Sequence, residues 1–279
     1  MDVQAYIDER LPLVDRALDA LLPPESEPPR ELHAAMRHLI FPGGKRLRPL
    51  FAIAATEAVG AASERALPAA CAVEMVHTYS LIHDDLPCMD DDSERRGRPS
   101  VHVQFGEAVA VLAGDALLAS AFGVLVANTA ESTAADSLAA VRDLAFAAGP
   151  CGLVGGQVDD LSFGPEGTAA AIESVHERKS AALIAASIAM GARLAGAEDG
   201  RVRQLHGFGR EVGVAFQIAD DLLDLNDDET CSLPRVLGSA AARERAEALL
   251  ERALLGVEDL GERAEPLREL ARYAVRRNR

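Results

Sequence analysis

The rhythm of the apolar residues constrains this chain most. Its long apolar segments repeat at three and four residues, and none alternates in twos. Residues 2–21 carry Val3, Tyr6, Ile7, Leu11, Val14, Ala17 and Leu21 at that spacing, one face of an amphipathic helix. Helical segments are likewise expected over 30–41, 49–60, 64–86, 106–126, 135–149, 167–196, 198–226 and 238–277, separated by short Gly, Pro or Ser punctuation. Strand signals are weak, because no alternating β-branched run is bounded by a two-residue turn. There is no fixed-period repeat, and the Pro23–Pro29 stretch lies too near the start to divide two domains. The expectation is one all-α domain over 1–279, a bundle of roughly ten helices around a central cavity.

Composition narrows the class. Hydrophobic residues are 49% of the chain but aromatics only 4%, so the core must be mostly Ala, Leu and Val, which suit close helix packing. A net charge of -16 argues against nucleic-acid or anionic-membrane binding. Cys71, Cys88, Cys151 and Cys231 are scattered and form no CxxC pair, as in a reduced cytoplasmic protein. The opening residues lack a basic region followed by an apolar run, so no signal peptide is expected. No apolar stretch runs about 20 residues without interruption, so no membrane span is expected either.

Two aspartate clusters interrupt this apolar background. In VGVAFQIADDLLDL (212–225), Asp220 and Asp224 are four apart and share one helix face. Like charges at that spacing destabilise a helix unless neutralised, and the flanking Phe216, Ile218, Leu222 and Leu223 make ionised carboxylates costly. Asp84 and Asp90 are six apart and diverge on a straight helix. Pro87 ends or kinks that helix and lets Asp90 turn back. Hard cations such as Mg²⁺ take oxygen ligands of this kind, and bound cations would reverse the sign of an acidic site. The first cluster alone reads equally as an acidic helix-terminal loop, whereas the apolar flanks of the second weigh against a solvated acidic face. Two on apolar helices point to a site between facing helices.

Cations lie nearby in sequence. Gly43-Gly44-Lys45-Arg46-Leu47-Arg48-Pro49 sets three cations behind a Gly pair, a pattern suited to an anion, although it lacks the Walker spacing. Arg95-Arg96-Gly97 follows the first cluster. Lys179 precedes the apolar run AALIAASIAM, and His77 is seven residues before Asp84 and nearly in line with it. Surface turns, a helix-surface lysine and a core histidine are the bland alternatives.

The stretches GGKRLRP (43–49), VHTYSLIHDDLPCMDDDSERRGRPSVHVQFGEAVAVLAGDALL (76–118), GGQVDD (155–160), HERKSAAL (176–183) and FQIADDLLD (216–224) together resemble the trans-isoprenyl diphosphate synthases, in order and spacing. Bacterial farnesyl diphosphate synthases are the nearest kind. The resemblance implies the all-α isoprenoid synthase fold, a homodimer and three Mg²⁺ ions gathered around bound diphosphate. Asp84 and Asp90 would bind two ions with Asp85 supporting them, and Asp220 the third, with Asp221 and Asp224 adjacent. Asp84, Asp220 and Lys179 would be catalytic. Arg95, Lys179, Gln217 and Ser180, where the family usually has Thr, would contact the allylic diphosphate. Gly44, Lys45, Arg48, His77 and Arg96 would bind isopentenyl diphosphate, and the basic end Arg276-Arg277-Asn278-Arg279 would close over it.

The implied reaction is ionisation of the allylic diphosphate, attack by the isopentenyl double bond and loss of a proton, with water excluded. Product length would be set by the residue five before the first Asp. That residue is Tyr79, implying a C15 product, although a helical wheel puts Ser80 closer to the Asp84 face. The chain departs from the family after Asp224, where LNDDETCSLPRVLG replaces a Lys-bearing loop and Leu233-Pro234 resembles a remnant of the turn that follows. Arg235 is the cation nearest that gap. This departure leaves two alternatives beside a farnesyl synthase: a geranylgeranyl or other short-chain synthase, and a low-activity or non-catalytic subunit of a heteromeric enzyme. A class I terpene cyclase would leave GGKRLRP without a use.

Overall fold

The computed structural model describes residues 1–41, 43–127, 134–164, 166–223 and 231–276. An amphipathic helix, α1 (Val3–Leu21), opens the chain, capped by Asp2, whose side chain accepts from the Gln4 and Ala5 amides. Then follow α2 (Arg30–His38), α3 (Leu47–Ala58), α4 (Leu67–Asp84), α5 (Val101–Phe105), α6 (Glu107–Ala127), α7 (Ala134–Ala148) and α8 (Leu153–Leu161). The chain continues with α9 (Ala169–His176), α10 (Ala182–Leu194), α11 (Asp199–Leu223), α12 (Leu233–Leu237), α13 (Ser239–Leu255) and α14 (Glu265–Arg276). The all-α expectation holds. Among the described residues, twelve helices have eight or more residues, against roughly ten expected.

The surplus has physical causes. The segment 238–277 splits where Gly261 takes a φ of 63° between α13 and α14. The segment 167–196 changes register through a π turn, Glu177–Ala181. Helix α8 contains Gly155-Gly156, a pair that reads as a breaker from sequence. Two short strands, Glu94–Arg95 and Arg98–Pro99, pair antiparallel across Arg96-Gly97. Both turn residues have positive φ, 55° and 73°, as a type I′ hairpin demands.

Helix α4 is buried on all sides, 13 of its 18 residues, so it needs no polar face and has none to lose. It packs against α3, α6 and α10. Helix α10 is equally buried, and its two sides serve different cores. Leu183, Ala186 and Met190 join the cluster with α4 and α6, while Ile184, Ile188 and Ala192 join the cluster with α11, α13 and α14. The two aspartate-bearing helices, α4 and α11, thereby flank α10.

By length and composition alone, α6 and the stretch Ala134–Leu161 are apolar enough to cross a membrane. The second stretch is broken at 149–152 into α7 and α8, each too short alone. Helix α6 carries Asp115 and buries Ala110, Ala113, Gly114, Leu117, Ala121 and Leu125 in the bundle. Its opposite side leaves Val111, Leu112 and Val126 exposed.

Candidate active site

The first carboxylate pair is made by the end of α4. Asp84 is its last residue, and Pro87 prevents continuation. The chain curls back, so that the Asp90 amide donates to the Asp84 carbonyl at 2.8 Å. The chain therefore reverses near Pro87 and brings the Asp90 backbone beside the end of α4. Burial pushes the Asp84 carboxyl up to about 6, with Lys179 opposing and Asp90 adding to the shift. Burial likewise raises Asp90, again opposed by Lys179. A half-buried carboxylate and a more exposed one, both near Lys179, offer oxygen donors of the kind a hard divalent cation takes.

Asp85 and Arg95 depart from expectation. The Asp85 side chain is wholly enclosed, and Arg95 donates to it from Nε at 2.8 Å and Nη2 at 2.5 Å. Arg95 Nη2 also reaches Asp92 at 2.6 Å. Asp85 thus anchors Arg95 rather than lining the cavity, because it lies a helix step around from Asp84.

On α11 the second cluster divides in the same way. Asp220 lines the cavity. Asp221 is buried, accepts the Leu233 amide at 2.9 Å and sits 3.4 Å from His176 Nε2. The chain that leaves α11 is thus pinned back onto it where α12 begins, with Leu233 and Pro234 buried and Arg235 exposed. Asp224 and the replaced loop through residue 230 lie outside the described residues, as do Arg277, Asn278 and Arg279. Arg276 is tied to Glu247 at 2.8 Å.

Between the two carboxylate-bearing helices is a cavity of about 300 Å³. Arg48, His77, Ser80, Asp84, Lys179, Ser180, Gln217 and Asp220 line it. Leu153, Gln157 and Phe216 also line it and were not singled out as ligands from sequence. Both polar atoms of the Gln157 side chain are enclosed without a hydrogen-bond partner, as if a ligand completes them. Lys179 donates to Asp160 at 2.5 Å, and Ser180 donates to Gln217 at 2.7 Å. Lys179 and Ser180 sit on the π turn, a distortion common at functional sites. Gly156 on α8 lets that turn approach. A Cβ there would lie 2.3 Å from the Lys179 amide nitrogen.

Tyr79 does not line this cavity; Ser80 does, as the helical wheel indicates. Tyr79 stands edge-on to His83, with ring centroids 5.7 Å apart, and its hydroxyl is enclosed without a partner.

A cluster of cations forms the remaining wall. Burial lowers Arg48 to about 10, with Glu74 opposing and Arg96 adding to the fall, and its Nε is enclosed without a partner. Burial and the neighbouring Arg48 hold His77 well below the usual imidazole range, so it is neutral near pH 7. Arg96 lies against Gly44, where a Cβ would come within 2.9 Å of its guanidinium. Lys45 is exposed. Arg96 also donates to the Leu39 carbonyl at 2.8 Å. A larger cleft of about 430 Å³ between α7 and α11 is less suited to chemistry, because its Arg178 and Arg210 are already paired with Asp159 and Glu177.

Asp84 of α4, Asp220 of α11, Lys179 and Arg48 thus meet on one cavity inside a helical bundle. The chain belongs to the polyprenyl synthetase family, whose profile matches residues 29–238. It is 42% identical over 303 residues to a heterodimeric geranylgeranyl pyrophosphate synthase large subunit of Arabidopsis thaliana, covering 99% of this chain and 80% of the relative. It is 46% identical over 203 residues to the farnesyl diphosphate synthase of Bacillus subtilis, covering 72% and 69%. The apo crystal structure of an FPP/GFPP synthase from Zymomonas mobilis superimposes with a TM-score of 0.91 at 37% identity, covering 98% of this chain and 99% of that one. The chain is accordingly a trans-prenyl diphosphate synthase, a prenyltransferase of isoprenoid biosynthesis.

Proposed function

We propose that the chain is a Mg²⁺-dependent farnesyl diphosphate synthase. It joins isopentenyl diphosphate to dimethylallyl and then to geranyl diphosphate, releasing diphosphate each time. The observation that carries the reading is the meeting of Asp84, Asp220, Lys179 and Arg48 on one cavity. Asp84, Asp90 and Asp220 would hold the ions, which when bound supply charge neutralisation for the departing diphosphate. Lys179 and Gln217 hold the allylic diphosphate, and Lys45, Arg48, Arg96 and neutral His77 receive the isopentenyl diphosphate. The allylic C–O bond breaks to free diphosphate, the isopentenyl double bond supplies the electron pair for the new C–C bond, and a proton passes to the released diphosphate to restore a double bond. Leu81, Leu153 and Phe216 line the same cavity and limit water around the cation.

The C15 product rests on Tyr79. Tyr79 is buried one residue before the cavity-lining Ser80 and stands edge-on to His83, and on this reading its ring limits the length of the product. Product masses from isopentenyl and geranyl diphosphates test this. Farnesyl diphosphate should dominate, and Tyr79→Ala should shift products to C20 or longer. A wild-type enzyme giving mainly C20 contradicts the Tyr79 reading and favours a geranylgeranyl synthase.

A homodimer is the arrangement we favour, on the exposed Val111, Leu112 and Val126 row of α6. Light scattering should give twice the 29.5 kDa chain mass, and Leu112→Glu should lower it to one chain. A wild-type monomer contradicts this. The Arabidopsis relative is named as one subunit of a heterodimer, but the near-complete site here favours a catalytic chain. The four free cysteines agree with a cytoplasmic location.

A further inference from the structure

We infer that the buried pair Arg46–Glu74 positions the cation cluster that receives the isopentenyl diphosphate, which makes both of them positioning residues for that substrate. The inference rests on the functional reading above and adds to it two residues that touch no substrate.

Arg46 lies between Lys45 and Arg48 in the basic loop, yet its side chain is turned inward and wholly enclosed. Its guanidinium donates to Glu74 at 2.7 Å, to the Ile40 carbonyl at 2.5 Å and to Asp15 at 3.1 Å. One side chain thereby ties the loop to α4, to the chain after α2 and to α1. Its backbone takes a φ of 50° and ψ of 32°, a left-handed conformation that non-glycine residues rarely adopt. Such a conformation persists only where surrounding contacts over-determine it, and these three bonds do so.

Glu74 is the other half. It is 1% exposed and lies three residues before His77, on the same side of α4. Its carboxylate faces Arg48 and Arg96 electrostatically as well as Arg46, and it opposes their loss of charge on burial. A cluster of arginines closed off from water needs such a counter-charge while no substrate is present. A buried ion pair is weak evidence for stability, since an apolar pair of similar volume often serves as well. That separates two roles. If the pair only holds the fold, apolar residues can replace it. If it sets where Lys45, Arg48 and His77 stand, they cannot.

The test is steady-state KM for each substrate together with thermal melting, in the wild type, in Glu74→Gln, and in the double variant Arg46→Met with Glu74→Leu. Glu74→Gln should raise KM for isopentenyl diphosphate about tenfold or more, while KM for geranyl diphosphate moves less than about twofold. The double variant, without the three Arg46 bonds and the Glu74 counter-charge, should melt below the wild type and keep the raised isopentenyl KM with the geranyl KM little changed. Equal changes in both KM values, or recovery of the isopentenyl KM together with melting in the double variant, overturns the inference. Failure of the wild type to condense the two substrates overturns the functional reading itself, and the inference with it.

Discussion

Asp84→Asn should lose at least about 10³-fold in Mg²⁺-dependent turnover, because several kcal/mol of charge stabilisation at the leaving diphosphate go with that oxygen ligand. The same variant should be more stable than the wild type in metal-free buffer at pH 8. Burial holds the Asp84 carboxyl at about 6 in the fold, above an ordinary value near 4 in the unfolded chain. A carboxyl raised in this way favours the fold while protonated. That contribution is fully present below about pH 4 and is lost as pH rises through about 6. The amide carries no charge at any of these pH values, so its advantage should be largest at pH 8 and shrink toward pH 4. Melting in chelator at both pH values checks the stability half. A variant that loses activity but melts lower than wild type at pH 8 contradicts the account of Asp84 as a desolvated ligand.

Gly156→Ala should lower kcat by about 100-fold and stability by about 1–3 kcal/mol. Ala for Gly inside a helix ordinarily gains up to about 1 kcal/mol, so the expected sign here is reversed. The added methyl would lie 2.3 Å from the Lys179 nitrogen and 2.7 Å from its Cα. Both are backbone atoms, so no rotamer change relieves the clash. Either α8 or the π turn must move, and the turn carries Lys179 and Ser180. Kinetics and chemical denaturation measure the two effects. An Ala variant with wild-type kcat would show that the π turn tolerates displacement and that Lys179 is not held by this contact.

The sequence carried much of this arrangement. Helix periodicity located α1, α3, α6 and α7 within two residues at each end, because each runs uninterrupted. Spacing alone could show that Asp84 and Asp90 need a break to meet, and the bond from the Asp90 amide to the Asp84 carbonyl supplies it. Other features were hidden for physical reasons. Gly155-Gly156 reads as a turn until the neighbour that needs a bare backbone, Lys179, is known. A π turn has no periodicity signature over five residues. Spacing places Asp84 and Asp85 side by side, but not which one an arginine will enclose. Glu74 did leave a signal, a lone acid inside CAVEMVH, and so did Arg46 between two site residues. Neither could be interpreted without knowing that they face each other across two elements.

The central claim is that two diphosphates meet in the cavity between α4 and α11 and are joined there. Its most direct test is the mass of products from purified protein with isopentenyl diphosphate, dimethylallyl diphosphate and Mg²⁺. The account predicts allylic diphosphates longer by whole isoprene units, with one free diphosphate released per unit added and none of this in chelator. No elongation of dimethylallyl, geranyl or farnesyl diphosphate under these conditions would contradict it.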